Sequence, residues 1–275
     1  MLRYVLVSLL LLLMTGCQSQ PRSSSAASDS SEAPVELTVF AAASLTDAFR
    51  AVADAFEEAR PGTTVTLNLG GSQQLAQQLR LGAPGDVFAS ANPVQMDAAV
   101  ASGRIAAEAP QPFVHNQMTA IAPAANPADL QSWRDLARPG VQVVLAAEAV
   151  PAGRYARRFL DRAAADSVEG ASFKHQVLDN AVSFEQNVRA VLTKIALGEA
   201  DAGLVYASDA AQADSASIRR LPLPDTLNPQ ATYLIAPVDD NAHPDAARAF
   251  VRFVRSDAGQ SILARYGLQP LKRPS

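Results

Sequence analysis

Strand-like and helix-like segments alternate along this chain, and that alternation limits its fold more than any other feature. Leu37 to Ala42 is a short apolar run and reads as a strand. Leu45, Phe49, Val52 and Phe56 then recur at helical spacing, so Leu45 to Ala59 reads as an amphipathic helix that Pro61-Gly62 stops. Ser44, with Asp47 three residues on, fits a capping box. Thr64 to Leu69 alternates as a second strand, Gly70-Gly71-Ser72 opens a helix from Gln73 to Leu81, and Asp86 to Ala89 is a third strand after the turn Ala83-Pro84-Gly85. This spacing argues for an α/β fold built on parallel strands.

The pattern recurs in the middle of the chain. Thr119 to Ala122, Val141 to Ala146 and Gly203 to Tyr206 are strand candidates, with helices expected after Asp129, Pro151 and Ser183. The chain is expected to cross to a second lobe near His115 and to return near Tyr233. Helices over Pro244 to Arg255 and Asp257 to Tyr266 then pack back on the first lobe.

The N-terminus reads as an export signal. Arg3 supplies a positive start, and Val5 to Leu13 is an apolar run too short to span a membrane. It ends at Met14-Thr15-Gly16-Cys17, which resembles a bacterial lipoprotein cleavage site with Cys17 as the lipidated first mature residue; leucine is usual where Met14 stands. Cys17 is the lone cysteine, so no disulfide framework exists, and a stray thiol is disfavoured outside the cell. Gln18 to Pro34, rich in Ser, Ala and Pro, reads as a flexible tether. About 240 residues remain, enough for one large domain or two small ones. The formal net charge is −4, or −5 once Arg3 is removed with the signal, and without a basic run the chain is a poor nucleic-acid binder.

Five segments share a further property. Ala43-Ser44-Leu45, Gly70-Gly71-Ser72, Val150-Pro151-Ala152-Gly153 and Gln186-Asn187-Val188-Arg189 each stand where a helix should begin, and Leu204-Val205-Tyr206 ends an apolar strand. A helix N-terminus has free N–H donors and partial positive charge, so it attracts anions. Ser183 and Gln186 make a capping box that would put Val188 in the first turns of its helix. Pro151 suits a first helical turn. Ala152 and Val188 would offer backbone N–H groups, and a one-residue shift would move the latter donor to Asn187 or Arg189. Ser44, Ser72 and Tyr206 would offer hydroxyls. Taken singly, a serine at a helix start is more often a plain cap, and a tyrosine at a strand end a core residue.

Taken together and in this order, the segments Val-Phe-Ala-Ala-Ala-Ser-Leu, Gly-Ser-Gln-Gln-Leu, Val-Pro-Ala-Gly and Gly-Leu-Val-Tyr-Ala-Ser-Asp-Ala resemble the extracytoplasmic molybdate-binding proteins of ABC transporters, from Leu37 to Pro270. The resemblance implies a two-lobed, hinged α/β architecture of the type II periplasmic-binding-protein kind. Its lobes would comprise 35–114 plus 231–272, and 115–230, after a signal at 1–16 and a tether at 17–34. It implies molybdate, with tungstate, held between the lobes by Ser44, Ser72, Ala152, Val188 and Tyr206. No cofactor or direct metal ligand is implied. The partners would be a membrane permease with its ATPase, the chain itself being a lipid-anchored monomer at the outer face of the membrane.

Donors without an acceptor favour an oxyanion that carries no proton. Phosphate would leave its proton unpaired, at a cost of about 1–3 kcal/mol. Sulfate or another small oxyanion remains the alternative. No Gly-x-Ser-x-Gly elbow, Walker A loop or Gly-x-Gly-x-x-Gly suggests an enzyme. His115, His175 and His243 lie far apart and read as surface or capping residues. Tyr155, Tyr206, Tyr233 and Tyr266 are scattered, unlike the clustered phenolates of a ferric site. The place of the Arg154 side chain is not legible.

Overall fold

The computed structural model describes residues 34–166 and 170–271. The signal segment, Cys17 and the tether up to Ala33 lie outside the described residues.

Two mixed sheets organise the chain. The first contains β1 (Val35–Ala42), β2 (Thr63–Gly70), β3 (Val87–Ser90), β4 (Gln111–Asn116), β10 (Ala231–Pro237) and β11 (Gln269–Pro270). The second contains β5 (Met118–Pro123), β6 (Val143–Ala146), β7 (Ala181–Glu185), β8 (Ala202–Tyr206) and β9 (Ile218–Leu221). Their orders are β11-β4-β10-β3-β1-β2 and β7-β6-β8-β5-β9. Each holds one parallel trio, β2-β1-β3 or β7-β6-β8, with an antiparallel strand beside its third member. The expectation of a parallel architecture is therefore corrected to a mixed one. Parallel order holds where a helix carries the chain back across the sheet. The antiparallel strands β5 and β10 enter from the other sheet and need no such helix.

The helices are α1 (Thr46–Ala59), α2 (Ser72–Arg80), α3 (Pro93–Ala101), α4 (Pro151–Ala165), α5 (Ser172–Asp179), α6 (Val188–Ala196), α7 (Ala207–Gln212), α8 (Pro244–Arg255) and α9 (Asp257–Arg265). The apolar stripe of α1 buries Phe49, Val52 and Phe56 completely or nearly so. Phe49 meets Phe113 of β4 and Phe250 of α8 edge to face at 6.0 and 6.2 Å, and Phe56 meets Phe250 at 5.1 Å. The C-terminal helices therefore pack on the first sheet as expected. Phe40, Leu75, Leu79, Phe88 and Met96 form a separate core on that sheet's other face.

Three local expectations are overturned. Ser44 caps no helix: it lies in a 3₁₀ turn, Ala43–Leu45, and its hydroxyl pairs with Tyr233 instead. Ser183 is a strand residue of β7, and the helix after it is capped by Asn187, whose Oδ1 accepts from the Ala190 N–H at 3.0 Å. The region after Asp129 forms only a 3₁₀ turn, Trp133–Ala137. There Ser132 and Asp135 exchange bonds with the backbone, and Pro139-Gly140 follows before a helix can extend. The strands β4, β7, β9, β10 and β11 and the helices α3, α5 and α7 lie outside the expected elements.

The chain leaves the first sheet at Asn116, enters the second at Met118, and returns between Leu221 and Ala231. As a result, the C-terminal ends of both parallel trios face one region.

Candidate functional site

Each parallel strand delivers one element to that region. After β1 comes the 3₁₀ turn with Ser44, after β2 the start of α2 with Ser72, and after β3 comes Ala91. After β6 comes the start of α4 with Pro151 and Ala152, after β7 the start of α6 with Val188, and β8 ends on Tyr206. In open α/β sheets ligands bind outside the carboxyl ends of the strands. Here two such edges converge on one pocket of about 210 Å³, counted to its open mouth. The space in it open to a water-sized sphere is about 10 Å³, room for roughly one such sphere, so it suits a small ion.

Ser44, Ser72, Ala152, Val188 and Tyr206 all line it, and all are at least 94% buried. The first N–H groups of α2, α4 and α6 have no carbonyl one turn back to bond, and the starts of all three helices line this space. Val150 and Gly71 precede α4 and α2 without a side-chain cap, and Pro151 removes one unneeded N–H from α4. Asn187 caps α6 by taking the Ala190 N–H, which leaves that of Val188 to the pocket. The Ser72 hydroxyl oxygen accepts from the Ala91 N–H at 3.1 Å, so its proton has the pocket as its outlet. The Tyr206 hydroxyl is buried and has no hydrogen-bond partner among the described residues.

Two glycines allow the close approach. A Cβ on Gly153 would stand 2.0 Å from the Ala147 carbonyl oxygen, so only glycine lets α4 start so near its preceding loop. A Cβ on Gly71 would stand 2.5 Å from the Gln186 carbonyl oxygen. That carbonyl belongs to the second-sheet half, and Gln73 Nε2 donates to it at 2.8 Å. Gln95 Nε2 donates likewise to the Ala149 carbonyl at 3.0 Å. These bonds join the two halves at the pocket's rim.

Among the described residues no Asp, Glu, Lys, Arg or His lines the pocket. A charged group does lie behind it. The Arg189 side chain binds Asp47 of α1 and approaches Asp209 of α7, Nε to Oδ1, at 2.8 Å. Burial pushes the Asp209 carboxyl up to about 7 against the pull of Arg189, and Asp47 adds to the rise. Two carboxylates thus flank the guanidinium and blunt its field at the pocket. Burial also raises the pKa values of Tyr206 and Tyr233, which keeps both phenols protonated and able to donate.

Several groups escaped the reading of the sequence. Tyr206 stacks edge to face with Tyr233 at 5.6 Å and with Tyr155 at 6.3 Å, so three tyrosines distant in sequence are neighbours. Tyr155 accepts from the Thr232 N–H at 3.3 Å. Asn116 reaches both Ser208 and Tyr233. Asp209 and Ser208 stand inside the segment already singled out around Tyr206. Nothing local marks Asn116 or Tyr233. The side chain of Arg154 is half-buried and outside the pocket lining. His175 is exposed, His115 bonds Thr232 at 3.2 Å, and His243 precedes α8 without capping it through its side chain.

Residues 37–269 match the family model described as bacterial extracellular solute-binding protein. This chain belongs to that family. It is a binding protein that works outside the cytoplasmic membrane, and not an enzyme. A molybdate-binding protein of Mycobacterium tuberculosis is 38% identical over 254 residues, 92% of either chain. A putative ABC transporter substrate-binding lipoprotein of Bacillus subtilis is 30% identical over 256 residues, 93% of either chain. In fold, the sulfate-binding protein of M. tuberculosis superposes with a TM-score of 0.76 at 20% identity, covering 86% of this chain and 88% of its own. Among the described residues no helix is long and apolar enough to cross a membrane.

Proposed function

We propose that this solute-binding protein captures molybdate, and tungstate with it, and delivers the ion to an ABC permease driven by an ATPase on other chains. One observation carries the reading. A pocket of ion size is lined by neutral donors from Ser44, Ser72, Ala152, Val188 and Tyr206, with no charged side chain among its lining. Molybdate, tungstate and sulfate need only donors, whereas phosphate needs an acceptor for its proton as well. Among these, the kinship with a molybdate-binding protein along nearly the whole chain supports molybdate.

In this reading, residues 35–114 with 231–272 form one lobe and 115–230 the other, and the ion closes them on each other. Calorimetric titration with molybdate, tungstate, sulfate and phosphate tests it. Tight binding of the first two, weak binding of sulfate and almost none of phosphate are expected. Sulfate binding tighter than molybdate would instead favour a sulfate receptor, and phosphate binding as tight as molybdate would remove the donor-only argument.

Cys17, in its apolar leader, is proposed to carry the lipid that holds this monomer at the membrane's outer face, with Gln18 to Pro34 as tether. Kinship with a putative lipoprotein supports this. One acyl chain holds weakly and two hold stably. The Cys17→Ala form should therefore partition to the aqueous phase of a detergent extraction and still bind ligand. A wild-type mature protein without acyl groups would rule the anchor out.

A further inference from the structure

Two side-chain amides cross the rim of the pocket, and both end on the loops that lead into its donor helices. Gln73, in the first turn of α2, donates from Nε2 to the Gln186 carbonyl at 2.8 Å. Gln95, in the first turn of α3, donates likewise to the Ala149 carbonyl at 3.0 Å. A backbone carbonyl can only accept, so the NH₂ end of each amide must face it. Gln186 shortly precedes Val188, and Ala149 shortly precedes Ala152. Beside the first bond, Gly71 lets the two halves meet. Its φ of −62° and ψ of 133° are extended backbone that any residue adopts, so its own half does not require glycine there. A Cβ would nevertheless stand 2.5 Å from the Gln186 carbonyl oxygen. It would also meet the Gln73 amide at 2.6 Å, but that end of a flexible side chain can turn aside. The backbone atom that excludes a side chain at position 71 therefore belongs to the facing half.

We propose that Gln73 and Gln95 are positioning residues that latch the pocket closed over its ion and set how long the ion stays. This rests on the oxyanion reading of the site and on the reading of two lobes that close on each other. Neither glutamine is part of the pocket's lining, so neither touches the ion. Both acceptors belong to exposed residues at the rim. In an open form water takes the place of each bond, and only closure makes them. Their loss therefore acts on the closed state alone: capture by the open form is untouched, and escape becomes faster. The Arg189–Asp47 pair joins the halves behind the pocket as a separate link.

Gln73→Met and Gln95→Met keep the length of the side chain and remove the donor. Calorimetry gives dissociation constants for molybdate and sulfate, and displacement of radiolabelled molybdate by excess unlabelled ion gives the release rate. Each variant should release molybdate about twofold to tenfold faster, the value of one hydrogen bond between neutral groups. The double variant should show about the product, since the two bonds share no partner. The association rate, obtained from the release rate and Kd, should stay within about twofold. The molybdate-to-sulfate affinity ratio and the ligand-free melting midpoint should not change. Release at the wild-type rate in the double variant overturns the latch, as does slower association at unchanged release. A lower ligand-free midpoint would assign the glutamines a merely structural role, and a changed ratio would mean that they meet the ion itself; either overturns the proposal.

Gly71→Ala tests the same contact from the facing side. Alanine suits the backbone at this position, so the ligand-free melting midpoint should hold or rise. Its methyl group meets the Gln186 carbonyl only on closure. Added molybdate should therefore contract this variant less than the wild type in small-angle scattering, and release should quicken. Full contraction with wild-type release would overturn the close approach on which the latch depends. If wild-type protein binds none of the anions, or binds molybdate without contracting, the oxyanion or the two-lobed reading has failed and the latch falls with it. If the wild type binds and contracts while the double variant releases at the wild-type rate, the latch alone has failed.

Discussion

Ser44 and Ser72 look alike in the sequence, each at the start of a helix, yet neither is a helix cap. The Ser44 hydroxyl pairs with that of Tyr233, and the Ser72 oxygen accepts from the Ala91 N–H. Both hydroxyls line the pocket, and that of Ser72 keeps its proton free for it. A hydrogen bond to a charged group is worth roughly 1.5–3 kcal/mol, or about tenfold to a hundredfold in Kd. Ser44→Ala and Ser72→Ala should each weaken molybdate binding by that factor in calorimetry. Full affinity in the double variant would contradict the site.

Tyr206 differs in an informative way. Its hydroxyl is buried without a partner, a state that itself costs stability in the ligand-free protein. Tyr206→Phe should therefore lose affinity by a similar factor while the ligand-free thermal midpoint holds or rises. A fall in that midpoint would mean that the hydroxyl has a structural partner instead.

At the scale of elements, α6 shows how a cap and a site depend on each other. Asn187 fixes where the helix begins, and so fixes which N–H faces the pocket. Asn187→Ala should cost about 1 kcal/mol of stability, read as a lower midpoint in thermal melting. It should also weaken ligand binding, because the first turn would fray at Val188. Unchanged affinity would show that α6 does not supply a donor.

The same helix carries Arg189, whose guanidinium joins α6 to Asp47 of α1 and to Asp209 of α7. Burial disfavours the charge of Asp209 and pushes its pKa from the ordinary 3.8 up to about 7 in the folded protein. The folded protein therefore binds more protons than the unfolded chain between those values. Its contribution to stability is full below about pH 4 and is lost as pH rises toward 7. Asp209→Asn should flatten that fall in ligand-free melting, and an unaltered slope would assign it to other groups.

For the whole molecule, two sheets of matching strand order present the carboxyl ends of their parallel trios to each other. A helix start on one sheet supplies donors to only one side of an ion. Facing pairs supply them all round, and only in the closed arrangement. A ligand that touches both halves must favour that arrangement. The rim bonds of Gln73 and Gln95 and the Arg189–Asp47 pair join the halves in it. Small-angle scattering should show the radius of gyration fall when molybdate is added to ligand-free protein. An unchanged radius at saturation would speak against closure by the ion.

The sequence by itself determined where most strands end and most helices begin. Strands such as β1, β6 and β8 are covered on both faces and read as apolar runs, and α1 and α8 carry clear helical stripes. Ser44, Ser72, Ala152, Val188 and Tyr206, which line one pocket, could be singled out because each sits at or near such a junction. The pattern failed at β7, an edge strand with Val182 and Phe184 exposed, and at Asp129, where a short turn replaced a helix. It could not indicate Tyr233, which lies 189 residues from the Ser44 it touches, or Asn116, 117 residues from Tyr233. Nor could it show that Asp209 and Asp47 flank one guanidinium. Strand and helix periodicity is set by near neighbours along the chain. The order of a hydrogen-bonded chain and the balance of a buried charge depend on which distant side chains the packing of two sheets brings within 3 Å or so of each other.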